Sequence, residues 1–347
     1  MMNNRVAKKL KHIASRLKNK VFRNRLKNVK IDLVYLWGDM SDENFRIKKE
    51  NLAKTMHVRY EANNKCRFTD NDELKYSLRS VEKYAPWINH IYIVTNNQCP
   101  KWLNTKHPKI TLINQEDIMP EGSNPCFNSN AIEHCIVNIP GLNEYFLYAN
   151  DDNLIFDHVK PEFFYNKKTG YPICRYEGRF DDNSGLYFKM LKNSANLISQ
   201  KYGKYYNMYP HHNMEAYRKS EILACQKIFE KEITHTVFTP FRTETDVQKS
   251  IYNNYVCAVK HGHFKIVSKI DSDLPWYRKA VNSFLKIYAK DSVFVIADQK
   301  NITDEIIKYK PKLFCINDAE WLKDNHRKYI KTFLECFFPN KSKFEKA

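Results

Sequence analysis

Residues 145–152 read YFLYANDD, so an aromatic and aliphatic run ends at two adjacent carboxylates. A short apolar run of this kind predicts a buried β-strand. Three earlier segments have the same character, namely 31–37 (IDLVYLW), 90–95 (HIYIVT) and 109–114 (KITLIN). Helical patterns lie between these segments, with Leu74, Leu78 and Val81 on one face of one helix. Strands that alternate with helices predict an α/β fold with a mainly parallel sheet.

The carboxylates that end the 145–152 stretch are candidates for a metal site. Asp151 and Asp152 directly follow a predicted strand, and the carboxyl ends of parallel strands form the ligand-binding edge of an open α/β sheet. Two unpaired neighbouring carboxylates repel each other, and a divalent cation removes that cost. Mg²⁺ and Mn²⁺ are held by few carboxylates together with phosphate oxygens, which suits a diphosphate ligand. The spacing alone is equally compatible with a simple polar turn.

Other acidic residues occupy equivalent positions along the chain. Asp39 and Asp42 follow the first predicted strand, and Asn317 and Asp318 follow another short apolar run. Three sites in which carboxylates follow a strand favour one shared site for a metal and a diphosphate. Asp32 lies inside the first strand, where a carboxylate is more often structural than functional.

Two further features offer catalytic groups, each with an alternative that the spacing does not exclude. His211 and His212 supply imidazoles, which can accept a proton from a hydroxyl at neutral pH; the alternative is a surface pair in a tyrosine-rich loop. Arg242 could bind a phosphate with two parallel hydrogen bonds. It could equally form a helical ion pair with Asp246, four residues further on.

Charge and composition narrow the class of protein. Residues 1–31 contain eleven lysines and arginines and no acidic residue, so they carry +11 of the net charge of +18. Val6, Leu10, Ile13 and Leu17 recur there at helical spacing, which predicts a basic amphipathic helix over residues 1–30 at an anionic inner-membrane surface rather than on nucleic acid. No apolar run spans a bilayer and no secretory signal is visible. We therefore expect a cytoplasmic protein held at the inner face of the membrane.

Four blocks of the sequence resemble the Stealth family of bacterial capsular-polysaccharide phosphotransferases, whose animal relatives include the catalytic subunit of GlcNAc-1-phosphotransferase. The second block is long and the most specific of the four. The blocks are IDLVYLWGDMSD (31–42); RFTDNDELKYSLRSVEKYAPWINHIYIVTNNQCPKWLN and its continuation to IPGLNEYFLYANDDNLIF (67–156); HHNMEAYRKS to FTPFRTETDVQKSIYNNY (211–255); and FCINDAEW (314–321).

The resemblance implies a GT-A-like nucleotide-diphospho-sugar transferase fold, with an inserted region and a helical C-terminal part. It implies that hexose-1-phosphate passes from a UDP-sugar to a hydroxyl of an oligosaccharide or polysaccharide, with Mg²⁺ or Mn²⁺ as cofactor and UMP as product. The family's positions fall on a catalytic set (His212, preferred to His211 as base, with Asp152 and Arg242), a donor-binding set (Asp39, Asp42, Arg67, Asn150 and Asn317) and a metal-binding set (Asp151, Asp152 and Asp318).

The expected organisation has three parts. Residues 1–30 form the basic helix, residues 31–321 form the catalytic domain with an acceptor-facing insertion at about 161–210, and residues 322–347 form a basic amphipathic tail. Residues 211–262 look helical, with Gly262 ending a helix from about Thr245. Two rival functions stay open at this point, a glycosyltransferase that releases UDP and a basic adaptor whose acidic turns are inert.

Overall fold

The computed structural model describes residues 24–180, 185–267, 292–296, 306, 311–319 and 321–346. Its centre is a five-stranded sheet in the order β3-β2-β1-β4-β8, accompanied by three-stranded sheets in the orders β10-β11-β5 and β7-β6-β9. The strands are β1 (Ile31–Leu36), β2 (Ile91–Thr95), β3 (Ile110–Asn114), β4 (Tyr145–Asn150), β5 (Asn153–Ile155), β6 (Ile173–Arg179), β7 (Met208–Pro210), β8 (Glu215–Arg218), β9 (His263–Ile266), β10 (Ser292–Ile296) and β11 (Leu313–Asn317).

Helices cover both faces of the central sheet. They are α1 (Glu43–Thr55), α2 (Tyr60–Asn63), α3 (Glu73–Tyr84), α4 (Ser129–Cys135), α5 (Pro161–Phe164), α6 (Leu186–Tyr202), α7 (Lys219–Ile228), α8 (Glu230–Val237), α9 (Ser250–Ala258) and α10 (Asp324–Phe337). Leu33 of β1 packs in one core with Leu74 and Leu78 of α3. Val34 packs in the opposite core, with Ile132 of α4. Successive strand residues point to opposite faces, so a sheet covered on both sides requires the continuous apolar runs seen in the sequence.

The strand order fixes where a ligand can bind. β1 pairs in parallel with β2 on one side and with β4 on the other, and β4 pairs antiparallel with β8. The chain therefore reverses its direction of progress across the sheet between β1 and β4, and the register places Leu36 beside Asn150. In open α/β sheets, ligands bind beyond the carboxyl ends of the strands at such a reversal. The α/β fold with a mainly parallel sheet is thus confirmed, and its switch point lies at the Asn-Asp-Asp turn.

The C-terminal segment packs on the body. Ile330, Phe333 and Leu334 of α10 are buried in a core shared with Tyr76 of α3. The Arg79 guanidinium donates two hydrogen bonds of 2.7 Å to the Glu345 carboxylate. The apolar face of the predicted tail is therefore covered by protein in this structure.

Two sequence-based expectations are corrected. The helix expected to end at Gly262 is α9, which ends at Ala258, because Lys260 adopts a left-handed backbone conformation with φ of 63°. Residues 211–262 also contain β8, which adds an edge strand to the central sheet.

The N-terminal segment is described only in part. Residues 1–23 lie outside the described residues, whereas 25–28 form a turn. The side chain of Asn24 accepts a hydrogen bond from the Leu26 amide at 2.9 Å, and Leu26 is buried. The predicted N-terminal helix therefore does not extend to residue 30. Within the described part of the chain, no helix is both long and apolar enough to cross a membrane.

Candidate active site

A cavity of about 650 Å³ lies at the switch point of the central sheet. The carboxyl ends of β1 and β4 form part of its wall, through Leu36, Trp37 and the turn that begins at Asn150. The cavity brings together most of the residues that the sequence proposes for the site, although they come from distant segments: Arg67, Asn150, Asp151, Asp152, His211, His212, Arg242, Asn317 and Asp318.

Three acidic residues in or after the first strand make structural contacts outside the cavity lining. The Asp42 side chain caps α1 by accepting a hydrogen bond from the Phe45 amide at 2.8 Å. Asp39 accepts from the Ser41 amide at 2.8 Å, and neither Asp39 nor Asp42 is among the described residues that line the cavity. Asp32 is fully buried and accepts from Asn89 and Asn143 at 2.8 Å each. The donor-binding role of Asp39 and Asp42 therefore has no support from their contacts.

One wall of the cavity is acidic. Asp151 and Asp152 occupy the turn between β4 and β5, and Glu73 begins α3 beside them. Burial and the charges of Asp152, Glu73 and Asp70 hold the pKa of Asp151 well above its usual range. Burial and Asp70 raise the pKa of Glu73 to about 8, and burial and Asp72 raise that of Asp70 to about 6. These shifts are in the direction that burial and mutual repulsion of neighbouring carboxylates produce.

The acidic wall has donors that suit a divalent cation. The Asp152 carboxylate, His212 Nε2 and Cys315 Sγ lie within 4.8 Å of one another. Asp152 accepts from the Cys315 thiol at 3.2 Å and lies 3.7 Å from His212 Nε2. Among the described residues, no lysine or arginine forms an ion pair with Asp151 or Asp152. Asp318 differs, because Arg327 Nε donates to it at 3.1 Å, so its charge is already balanced.

A second wall carries two guanidinium groups. Arg67 and Arg242 both line the cavity, and burial together with the charge of Arg242 lowers the pKa of Arg67 to about 10. Arg67 Nε donates to the Glu61 carbonyl oxygen at 2.5 Å, and Arg242 Nη2 donates to the Ser129 hydroxyl. Two guanidinium groups on one wall have the chemistry to bind an anion with several oxygens.

Arg242 does not form the helical ion pair that its spacing with Asp246 allowed. Residues 242–246 form a turn rather than a helix. Asp246 is fully buried and accepts hydrogen bonds from Asn128 Nδ2 at 2.7 Å and from the Thr243 hydroxyl at 2.7 Å. Asp246 therefore stabilises the loop that carries Arg242, since its carboxylate accepts hydrogen bonds from residues other than the arginine.

The two adjacent histidines occupy different environments. His211 is buried, and its Nδ1 is hydrogen bonded to the carboxylate of Glu177 on β6. Its Nε2 is buried without a partner among the described residues. His212 is about one-third exposed, and its Nε2 lies 3.3 Å from Asn150 Nδ2, beside Asp152. Within the described part of the chain, His211 thus has one unpaired ring nitrogen, while His212 belongs to the acidic wall.

The structure adds residues that the sequence reading missed. Glu73 and Glu177 line the cavity, and neither of them is proposed from the sequence. The Tyr148 hydroxyl donates to Glu133 at 2.8 Å and lies 3.0 Å from Asn150 Oδ1, which holds the Asn150 amide. For Glu73 the available signal was its position at the start of a helix beside two other acidic residues. No local signal marks Glu177.

An aromatic group completes the lining of the cavity. Tyr187, Phe188 and Tyr209 line it, with the ring centroids of Phe188 and Tyr209 5.5 Å apart and those of Tyr187 and Phe188 5.9 Å apart. These residues come from α6 and β7, within or next to the segment expected to face the acceptor. Aromatic faces of this kind provide apolar surface with polar rims.

Comparison with known proteins gives four findings. Residues 67–172 match the family described as Stealth protein CR2, conserved region 2. The exopolysaccharide phosphotransferase cps2G of Lactiplantibacillus plantarum is 30% identical over 352 residues, which cover 91% of this chain and 96% of that protein. The capsular polysaccharide phosphotransferase SacB of Neisseria meningitidis serogroup A is 29% identical, and the match covers 92% of this chain but only 57% of SacB. Among solved structures, a galactosyltransferase, LgtC, in complex with donor and acceptor sugar analogs covers 90% of this chain and 96% of LgtC, at 10% identity and a TM-score of 0.43.

Proposed function

The chain belongs to the Stealth family of polysaccharide phosphotransferases, and we propose that it transfers hexose-1-phosphate from a UDP-sugar to a saccharide hydroxyl. The product is a phosphodiester in a capsular or other surface polysaccharide, and UMP is released. A relative that is 30% identical and 96% covered by the match carries the name exopolysaccharide phosphotransferase. The donor, the acceptor and the hexose-1-phosphate unit are our proposal.

The observation that carries this proposal is the distribution of charge in one cavity. Asp151 and Asp152, which have no lysine or arginine partner among the described residues, stand on one wall, and Arg67 and Arg242 stand on another. A diphosphate with a bound divalent cation carries both signs of charge, so it complements both walls at once. The volume of about 650 Å³ lies in the range of about 300–1,000 Å³ that holds a small ligand.

The residues of the acidic wall fit a divalent cation. Asp151 and Asp152 supply hard oxygen ligands that Mg²⁺ or Mn²⁺ prefers, and His212 stands beside them. When bound, the cation supplies positive charge for the diphosphate oxygens. Asp318 is engaged by Arg327, so we place it at the edge of this site rather than among the ligands.

The remaining roles in the transfer step are assigned to side chains of the cavity. We assign the base to His211, because its Nε2 is a buried ring nitrogen in the cavity lining that has no hydrogen-bond partner among the described residues. The acceptor hydroxyl gives its proton to this nitrogen while its oxygen bonds to the β-phosphorus. The bond from that phosphorus to the bridging oxygen breaks, and the electron pair leaves with UMP. Arg242 and Arg67 stabilise charge on the phosphoryl oxygens.

The acceptor is proposed to lie on the aromatic residues. Tyr209 precedes His211 by two residues and forms an aromatic group with Phe188 and Tyr187. Apolar faces of a sugar ring pack on such side chains while the hydroxyls stay hydrated. A saccharide placed there has a hydroxyl near the proposed base.

The place of action in the cell is also a proposal. The basic segment over residues 1–30 is proposed to contact anionic lipids at the inner face of the cytoplasmic membrane, with the catalytic domain over about 31–321 facing the cytoplasm. The support for it is the +11 charge and the apolar spacing of the sequence.

The test is an assay of the nucleotide product with purified protein, Mg²⁺ or Mn²⁺, a panel of UDP-sugars and short capsule-like oligosaccharides. We expect UMP, lost on addition of EDTA and reduced at least about 10²-fold in Asp152→Asn. Asp117→Asn, at an exposed position, is the matched control and should keep full activity. UDP as the product would replace the proposal with a glycosyltransferase, and activity that survives both EDTA and Asp152→Asn would refute the proposed cation site.

A further inference from the structure

Glu177 is the residue from which a further inference can be drawn. It lies on β6, and His211 follows β7, the antiparallel neighbour of β6. The backbone amide of His211 donates to the Arg175 carbonyl at 3.0 Å, which fixes the start of the loop against β6. Glu177 and His211 are 9% and 4% exposed. The pair is therefore held by the sheet and shielded from water.

We propose that Glu177 is a positioning residue that selects the tautomer and orientation of His211 for proton transfer. This inference rests on the proposed function and extends it to a residue outside the blocks of family resemblance. An ionised carboxylate only accepts hydrogen bonds, so the His211 hydrogen must lie on Nδ1, which faces Glu177. The lone pair then lies on Nε2, the nitrogen without a partner in the described structure.

The chemical consequence follows from the charge of Glu177. As the acceptor hydroxyl attacks phosphorus, its proton moves to Nε2 and His211 becomes an imidazolium. A carboxylate hydrogen bonded to Nδ1 stabilises that cation and keeps the ring from rotating. The described residues give His212 no equivalent contact, since Asp152 and Asn150 both lie near its Nε2.

A second pair of the same type provides the control. Glu221 carboxylate oxygens lie 3.1 Å from His261 Nδ1, and neither residue lines the cavity. Glu177→Gln and Glu221→Gln therefore remove the same kind of carboxylate from the same kind of pair, once in the site and once outside it. A general effect of losing such a pair would appear in both variants.

The first measurement is independent of activity. Long-range ¹H–¹⁵N correlation spectra of metal-free protein labelled with ¹⁵N-histidine, assigned by comparison with His211→Asn, report which ring nitrogen is protonated. We expect His211 to have a protonated Nδ1 and a bare Nε2 in the wild type, and a changed pattern in Glu177→Gln. A protonated Nε2 in the wild type, or an unchanged pattern in Glu177→Gln, would overturn the inference.

The second measurement separates positioning from a structural role. We expect kcat of Glu177→Gln to fall about 10²-fold, with the donor KM within about 3-fold of wild type. Glu177→Asp, which keeps the charge, should recover part of kcat. On the His211→Asn background, Glu177→Gln should add no further loss, because Glu177 acts through His211.

Each kinetic outcome decides one question. A further loss in the double variant, or equal losses in Glu177→Gln and Glu221→Gln, would refute the positioning role. If the wild type releases no UMP, the proposed function fails, and the tautomer measurement alone decides the inference. Circular dichroism spectra and urea unfolding of each variant show whether a loss of activity comes from loss of the fold.

Discussion

Replacing Glu73 with glutamine should stabilise the metal-free protein at high pH. Glu73 is 6% exposed, and burial with the nearby charge of Asp70 raises its pKa from 4.5 to about 8. The native state therefore holds a proton on Glu73 between pH 4.5 and about 8 that the unfolded state has lost. Because the native state binds more protons in this window, the free energy of unfolding falls as pH rises through it.

The size of the effect follows from the shift. At about 1.36 kcal/mol per pKa unit, a shift of this size lowers the free energy of unfolding by at most about 5 kcal/mol above pH 8. Glu73 also accepts hydrogen bonds from the Asn71 amide at 2.6 Å and from Asn71 Nδ2 at 2.7 Å. Glutamine keeps only one acceptor oxygen, which costs about 1 kcal/mol. The gain of Glu73→Gln over wild type should therefore grow by about 2–4 kcal/mol between pH 5 and pH 9.

The assay is urea unfolding in EDTA at pH 5, 7 and 9, followed by tryptophan fluorescence. Glu116→Gln, at an exposed position, is the control for the loss of one carboxylate and should show a much smaller change with pH. A difference between Glu73→Gln and wild type that stays constant from pH 5 to pH 9 would refute the argument that burial and repulsion penalise this carboxylate.

Three further outcomes are expected. Differential scanning fluorimetry should show that Mn²⁺ raises the Tm of the wild type and leaves the Tm of Asp151→Asn nearly unchanged. The reason is that the cation relieves the repulsion between carboxylates that the substitution already removes. An equal rise in both proteins would exclude Asp151 from the site. Arg242→Lys should lower kcat/KM at least about 10-fold in the UMP assay, since one ammonium cannot replace the two parallel donors of a guanidinium; unchanged kinetics would show that Arg242 does not contact the phosphoryl group. Gly262→Ala should lower the free energy of unfolding by about 1–3 kcal/mol. The Cβ atom of the alanine would lie 2.8 Å from Val256 Cγ2 and 3.2 Å from Cys174 Sγ. A variant as stable as the wild type in urea unfolding would contradict the tight packing around residue 262.

Much of the central sheet was accessible from the sequence. The runs at 31–37, 90–95, 109–114 and 145–149 became β1 to β4, and the helix around Leu74 became α3. These elements are predictable because a strand buried on both faces must be apolar along its whole length. Their alternation also predicted parallel pairing.

Local patterns left the role of a residue open where the contacts of the folded chain decide it. Asp42 follows a strand as Asp151 does, yet it caps α1. Asp246 follows Arg242 at helical spacing, but its partner is Asn128, 118 positions away along the chain. A spacing rule describes only what the chain does to itself within a few residues, so it cannot tell a ligand-binding carboxylate from a cap.

The sequence by itself determined the α/β class and the Asn-Asp-Asp turn after β4, because strand and turn preferences act over short stretches of chain. Only the tertiary structure decided which charges meet. The order β3-β2-β1-β4 places the β4 turn at the switch point, in the same cavity as Arg67 and Arg242. The tertiary structure also gives the adjacent residues His211 and His212 different partners, since His211 contacts Glu177 and His212 lies beside Asp152.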